Sequence, residues 1–144
     1  HIMNIDFFKK EKVAMMKEKN KDAVSALNVV INKIMLATIE KRAKNEELSE
    51  GDVLSILQKT EKELIEEKSG FEKAGEAYAD KVASLDSQIK TVKSYLPQMM
   101  GKDEIKKIIL SLADKSVPSV MRHFKANYNG KCDMKEVNEV LRSL

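Results

Sequence analysis

Tyr78, Val82, Leu85, Ile89, Val92 and Leu96 recur at alternating spacings of four and three, and Pro97 ends the run. A stripe at that spacing occupies one face of an α-helix, whereas a strand would alternate every second residue. Such a face is stable only when another helix covers it, so the chain must build a helical bundle. Only 5 Gly and 2 Pro stand among 144 residues, leaving few turn formers, and Lys, Glu, Leu, Ile and Met abound. The fold class expected is therefore all-α.

Further helices are marked by their caps. Asn4 starts a first helix that runs to about Glu18, with Ile5, Phe8, Met15 and Met16 loosely periodic. Asn20-Lys21-Asp22 reads as a polar break with Asp22 as the next cap. The second helix carries Val24, Leu27, Ile31, Ile34 and Thr38 on one face and ends near Lys44-Asn45. Ser49-Glu50-Gly51-Asp52 resembles a capping box, in which Ser49 and Asp52 satisfy the free amides of a third helix. That helix presents Val53, Leu57, Thr60, Leu64 and Phe71, and Gly75 is expected to end it in the αL conformation.

Beyond Pro97 three short helices are expected. Gly101 and Asp103 open one, with Ile105, Ile108, Ile109 and Leu112 inward. Ser116 and Pro118 open the next, with Val117, Val120, Met121, Phe124 and Tyr128 inward and Asn129-Gly130 after it. Asp133 caps the last, with Val137, Val140, Leu141 and Leu144 inward. The predicted organisation is an N-terminal four-helix part over residues 3–97 and a small C-terminal three-helix domain over 98–144. His1-Ile2 read as a cloning remnant.

Charge divides the same way. Residues 1–100 hold 17 Lys+Arg and 17 Asp+Glu, whereas residues 101–144 hold 9 and 6, so the whole net charge of +3 sits in the tail. Within the body, residues 1–44 sum to +5 (10 basic, 5 acidic) and residues 45–76 to −6 (4 basic, 10 acidic). This dipolar layout excludes a uniformly basic nucleic-acid binder but permits a basic patch.

Catalytic chemistry is not encoded in a recognisable form. Cys132 and His123 are the one nucleophile–base pair available, without an orienting partner or oxyanion site. The bland reading, a small residue at a helix start and a surface histidine, is preferred. No Cys/His cluster suits zinc and no Gly-rich loop suits phosphate, so no catalytic residue, metal or cofactor is expected. Glu63 with Glu66-Glu67 is read as a solvated helix face. Met15-Met16, Met99-Met100 and Met134 are read as core filler. A lone cysteine, the lack of an apolar run approaching about 20 residues, and no signal peptide point to a cytoplasmic protein that does not enter membranes.

Candidate contacts lie in the tail. Arg122, His123 and Lys125 fall off the apolar face of their helix, Lys131 follows Gly130, and Lys135 begins the last helix. Cations beside loop amides and a helix N-terminus suit phosphate oxygens. Tyr128 and Phe124 look buried, so any RNA would be read by backbone and shape.

Tyr95-Leu96-Pro97-Gln98, Phe71-Glu72-Lys73-Ala74-Gly75, Val120-Met121, and Tyr128-Asn129-Gly130-Lys131 with Asp133, Val137 and Leu141 to Leu144 together resemble the GatB/YqeY domain in its free-standing form. The resemblance covers essentially the whole native chain. It implies a four-helix part with a three-helix tail. It also implies kinship with the terminal domain of the B subunit of tRNA-dependent amidotransferases, which helps hold tRNA while the chemistry belongs to other domains. The expectation is a non-catalytic accessory module engaging tRNA or a tRNA–enzyme complex, with amidotransferase or aminoacyl-tRNA synthetase components as partners. The alternatives are a protein–protein adaptor without RNA, or an auxiliary piece of a glutamine-dependent carbon–nitrogen ligase. The chain departs from the family in having Ala23 and Asn28 where arginines are usual. Leu64 and Ile65 stand where basic residues are frequent, and Pro118 replaces a tail glycine.

Overall fold

Helices begin at Asn4, Asn20, Ser49 and Asp133 where a short polar side chain takes up a free amide, whereas those that begin at Tyr78, Gly101 and Ser116 have no side-chain cap. The computed structural model describes residues 2–97 and 99–144; Gln98 of the junction motif and His1, read above with Ile2, lie outside the described residues. The helices are α1 (Ile5–Lys17), α2 (Lys21–Ala43), α3 (Glu50–Ala74), α4 (Ala79–Lys93), α5 (Lys102–Ser111), α6 (Val117–Asn127) and α7 (Met134–Arg142), with a single 3-10 turn at Glu76–Tyr78. No strand occurs among the described residues, and the fold is all-α.

Asn4 caps α1 by accepting the Phe7 N–H at 3.0 Å. Asn20, not Asp22, caps α2, accepting the Ala23 N–H at 3.1 Å. Asp22 lies inside the first turn and accepts the Ser84 hydroxyl at 2.6 Å. The capping box at α3 forms as expected: Asp52 N–H donates to Ser49 Oγ at 3.1 Å and Ser49 N–H to Asp52 Oδ2 at 2.9 Å. Gly75 ends α3 at φ 109°, ψ −179°, an extended left-handed conformation open to glycine alone and different from the αL turn expected.

Two compact units divide the chain, His1–Leu96 and Pro97–Leu144. In the first, α2 packs against α1, α3 and α4, and α3 packs along α4. Phe8, Leu27, Ile34, Leu57 and Leu85 are sealed in its core. The stripe that defines α4 is buried only at Leu85, Ile89 and Val92. Tyr78 stands outside that helix, 44% exposed, with its ring 5.2 Å from Phe71. Gln88 is a polar core residue, donating to Ser84 Oγ at 3.3 Å and so extending the Asp22–Ser84 contact.

The apolarity of α2 exceeds the sequence expectation. It is long and apolar enough to cross a bilayer by length and composition, with a mean hydropathy of 1.4 over its best 18 residues. Burial accounts for one face: Ala23, Ala26, Leu27, Val30, Ile31 and Ile34 lie in the core. The opposite face keeps Val29, Met35, Leu36 and Ile39 in the open.

In the second unit α7 packs against α5 and α6. Ile105, Ile109, Val120, Phe124, Cys132, Val137 and Val140 form the core. Val117 and Leu144, expected inward, are each half exposed, because Val117 is the first residue of α6 and Leu144 lies past the end of α7. Met100 and Met134 pack against this core, whereas Met16 and Met99 are exposed.

Tyr95 ties the end of the α4 segment to α1. Its hydroxyl donates to Glu11 Oε1 at 2.9 Å, and its ring meets those of Phe7 and Phe8 edge-on at 5.9 and 5.3 Å. Burial, and then the Glu11 carboxylate, push the phenol's pKa up. The unfolded phenol loses its proton near pH 10 while the folded one keeps it, so stability falls as pH rises above about 10. Denaturant titrations between about pH 9 and 11 should show a shallower decline for Tyr95→Phe than for the wild type. At neutral pH the variant should be less stable by about 1 kcal/mol, the worth of the hydrogen bond it cannot make.

Candidate nucleic-acid interface

The tail cations are held on an α6–turn–α7 frame. Pro118 enters the first turn of α6, where its missing N–H costs nothing. Asp114 lies just ahead of that turn and accepts the Ser116 N–H at 2.9 Å. That bond, more than the nearby Arg122, holds the Asp114 carboxyl below the usual range. The positive end of α6 thus already faces a carboxylate.

Gly130 turns the chain at φ 80°, which a side chain would strain. On either side of it the backbone is fixed: Lys131 N–H donates to the Tyr128 carbonyl at 2.9 Å, and the Lys131 carbonyl accepts the Met100 N–H at 2.9 Å. The exposed Lys131 side chain therefore projects from an anchored point. Asp133 caps α7 and accepts the Lys135 N–H at 3.0 Å. Of the first-turn amides of α7, the carboxylate takes that of Lys135.

Arg122, Lys125, Lys131 and Lys135 are exposed, and none is in an ion pair among the described residues. Arg122 and Lys125 share an outer flank of α6, since three residues advance about 300° round a helix. His123 turns to the other flank. It is half-buried, its ring 6.0 Å from those of Phe124 and Tyr128, with Asn127 Nδ2 3.3 Å from Nδ1. It is a packing residue more than a member of the cation set. Exposed lysines not singled out from the sequence include Lys106 and Lys107 on α5, the second of them opposite the buried Ile105 and Ile109. The position of Lys107 away from that apolar pair was the available signal.

Ion pairs occur in both units: in the tail Lys102 pairs with Glu139 at 3.9 Å, and the first unit holds three paired lysines among the described residues. Lys33 pairs with Glu63, Lys41 with Glu46 at 3.2 Å and Asp52 at 3.8 Å, and Lys68 with Asp86 at 2.6 Å. The Lys33 contact holds the Glu63 carboxyl below its ordinary range. An open groove of about 510 Å³ between α3 and α4 has Ile65 and Ile89 on its walls beside the Lys68–Asp86 pair. Ala23 and Leu64 are buried, so a basic side chain at either would be forced into the core; Asn28 is half-buried and Ile65 exposed.

A protein-family model described as Yqey-like protein matches residues 6–144. No curated protein matches the chain.

Cys132 has none of the attributes of a nucleophile. It is 6% exposed within the tail core, its Sγ lies 3.7 Å from the Tyr128 carbonyl, and burial pushes the thiol's pKa up, helped by Asp133 and Glu136. Reactive cysteines show the opposite, an exposed thiol with a lowered pKa. In a thiol-labelling assay near pH 8 the native protein should react at least about 100-fold more slowly than the denatured chain. Labelling at similar rates would mean that the core around Phe124 and Val137 is open.

Proposed function

The chain belongs to the YqeY-like family, and from that membership and the unpaired cations of the tail we propose that it is a non-catalytic binding module for tRNA or a tRNA–enzyme complex. The observation carrying the proposal is the contrast between the units. The first has zero net charge, while the tail nets +3 and, beside the Lys102–Glu139 pair at 3.9 Å, has Arg122, Lys125, Lys131 and Lys135 exposed and outside any ion pair among the described residues. Lysines on an anchored backbone neutralise phosphates without reading bases. Amidotransferase or aminoacyl-tRNA synthetase components are the enzyme partners that fit this role, and any glutamine-dependent ligation belongs to them. A protein-adaptor role is favoured by a separate observation, the exposed apolar face of α2.

Binding to unfractionated tRNA should weaken steeply with salt, because each neutralised phosphate releases condensed counterions. Lys125→Ala, Lys131→Ala and Lys135→Ala together should reduce the log–log salt slope by roughly one unit for each phosphate left without its lysine, alike for different tRNAs. Lys59→Ala with Lys62→Ala should matter far less, since glutamates surround those lysines on α3. No affinity at about 50 mM salt, or an unchanged triple variant, would make the adaptor reading the better one.

A further inference from the structure

The exposed side of α2 carries Ser25, Val29, Asn32, Leu36, Ile39 and Ala43, a second stripe at alternating four and three spacing on the reverse of the buried one. Val29 is 39% exposed, Leu36 63% and Ile39 61%, with Met35 beside them at 45%. Apolar side chains grouped in the open on one helix face are the kind of surface that interaction sites use.

The flanks of this stripe have opposite charge. Lys33 reaches across to Thr60 and Glu63, which places α3 on one side. α1 packs on α2 while making at most marginal contact with α3, which places it on the other. α1 has four lysines against two carboxylates, among them the exposed Lys9 and the half-buried Lys12. α3 has seven carboxylates against four lysines, among them the exposed Glu66 and Glu67.

We propose that a second copy of this chain covers the face, with the two α2 helices side by side and parallel about a two-fold axis. That symmetry sets α1 of one copy against α3 of the other, lysine against glutamate. An antiparallel pair would instead set α1 against α1 and α3 against α3, like charges in both cases. The parallel arrangement also stacks each stripe residue on its own counterpart. Asn32 then meets Asn32 near the middle, where each amide can donate to and accept from the other. A slip of one turn would leave that amide against Val29 or Leu36, so Asn32 fixes the register. A stable pair needs about 800 Å² from each partner, more than the stripe alone supplies, so the charged flanks are part of the interface.

Sedimentation velocity on the full chain up to about 200 μM tests the proposal, with a reversible dimer as the expected result. Leu36→Glu with Ile39→Glu should raise the dimer dissociation constant at least about 100-fold, leaving the helical circular dichroism intact because both side chains are exposed. Lys9→Glu with Lys12→Glu should weaken the dimer about tenfold, as should Glu66→Lys with Glu67→Lys, and all four together should restore it. The proposal is overturned by a chain that stays monomeric over that range, whether or not it floats with anionic vesicles. It is equally overturned by a dimer indifferent to the Leu36 and Ile39 changes, or by charge reversals whose effects add instead of cancelling.

Discussion

The inward seam of α2 is the contact on which the first unit is organised. α2 is the helix that touches α1, α3 and α4, and it does so through Ala23, Ala26, Leu27, Val30, Ile31 and Ile34. Alanine at two of these positions lets neighbouring backbones approach, while Leu27 and Ile34 supply the bulk between them. The polar ties sit at the edges of that seam, where water is excluded on one side only. Lys33 reaches Thr60 and Glu63, and Asp22 holds Ser84, which in turn holds Gln88. Apolar burial thus provides the driving force, and the edge bonds select the register in which α3 and α4 lie.

The helical class and most helix starts were legible because they depend on local chemistry. Asn4, Ser49 with Asp52, and Asp133 form their cap bonds within three residues, so neighbouring sequence suffices to specify them. Asp22 misled because Asn20 satisfies the same rule, and the choice falls to Asn20 once Asp22 is taken by Ser84, 62 residues away. Tyr78 misled through periodicity, which cannot see that the helix begins one residue later, after the 3-10 turn. The two sides of α2 illustrate the same limit. Both satisfy a four–three stripe, and only the packing of α1, α3 and α4 decides which one is the core.

In the tail, the exposure of the cations was legible and their surroundings were not. Arg122, Lys125, Lys131 and Lys135 were visible as cations off the apolar positions, and they are exposed. His123 looked equivalent in sequence, but Asn127 one turn later and Tyr128 at the helix end draw it into packing. At the tail helix starts Asp133 takes the Lys135 N–H as expected and Asp114 takes that of Ser116, while α6 itself has no side-chain cap. Local capping competes with ligand binding for the same donors, and the nearer acceptor has no association entropy to overcome.

That competition shapes what kind of recognition the tail can offer. In the proposed role, contact with phosphates would rest chiefly on long side chains with rotational freedom, which suit a phosphate lattice better than a single well-placed group. Such contacts tolerate a shift of an ångström or two, which is what the proposed reading of a folded RNA by its shape requires. The anchoring of Lys131, through bonds to Tyr128 and Met100, limits the freedom to the side chain itself. The absence of basic character at Ala23 and Leu64 follows the same logic from the other direction. Both positions are sealed in the first core, where a cation would be desolvated without a partner, so in this chain binding charge belongs on surfaces that carry no packing duty.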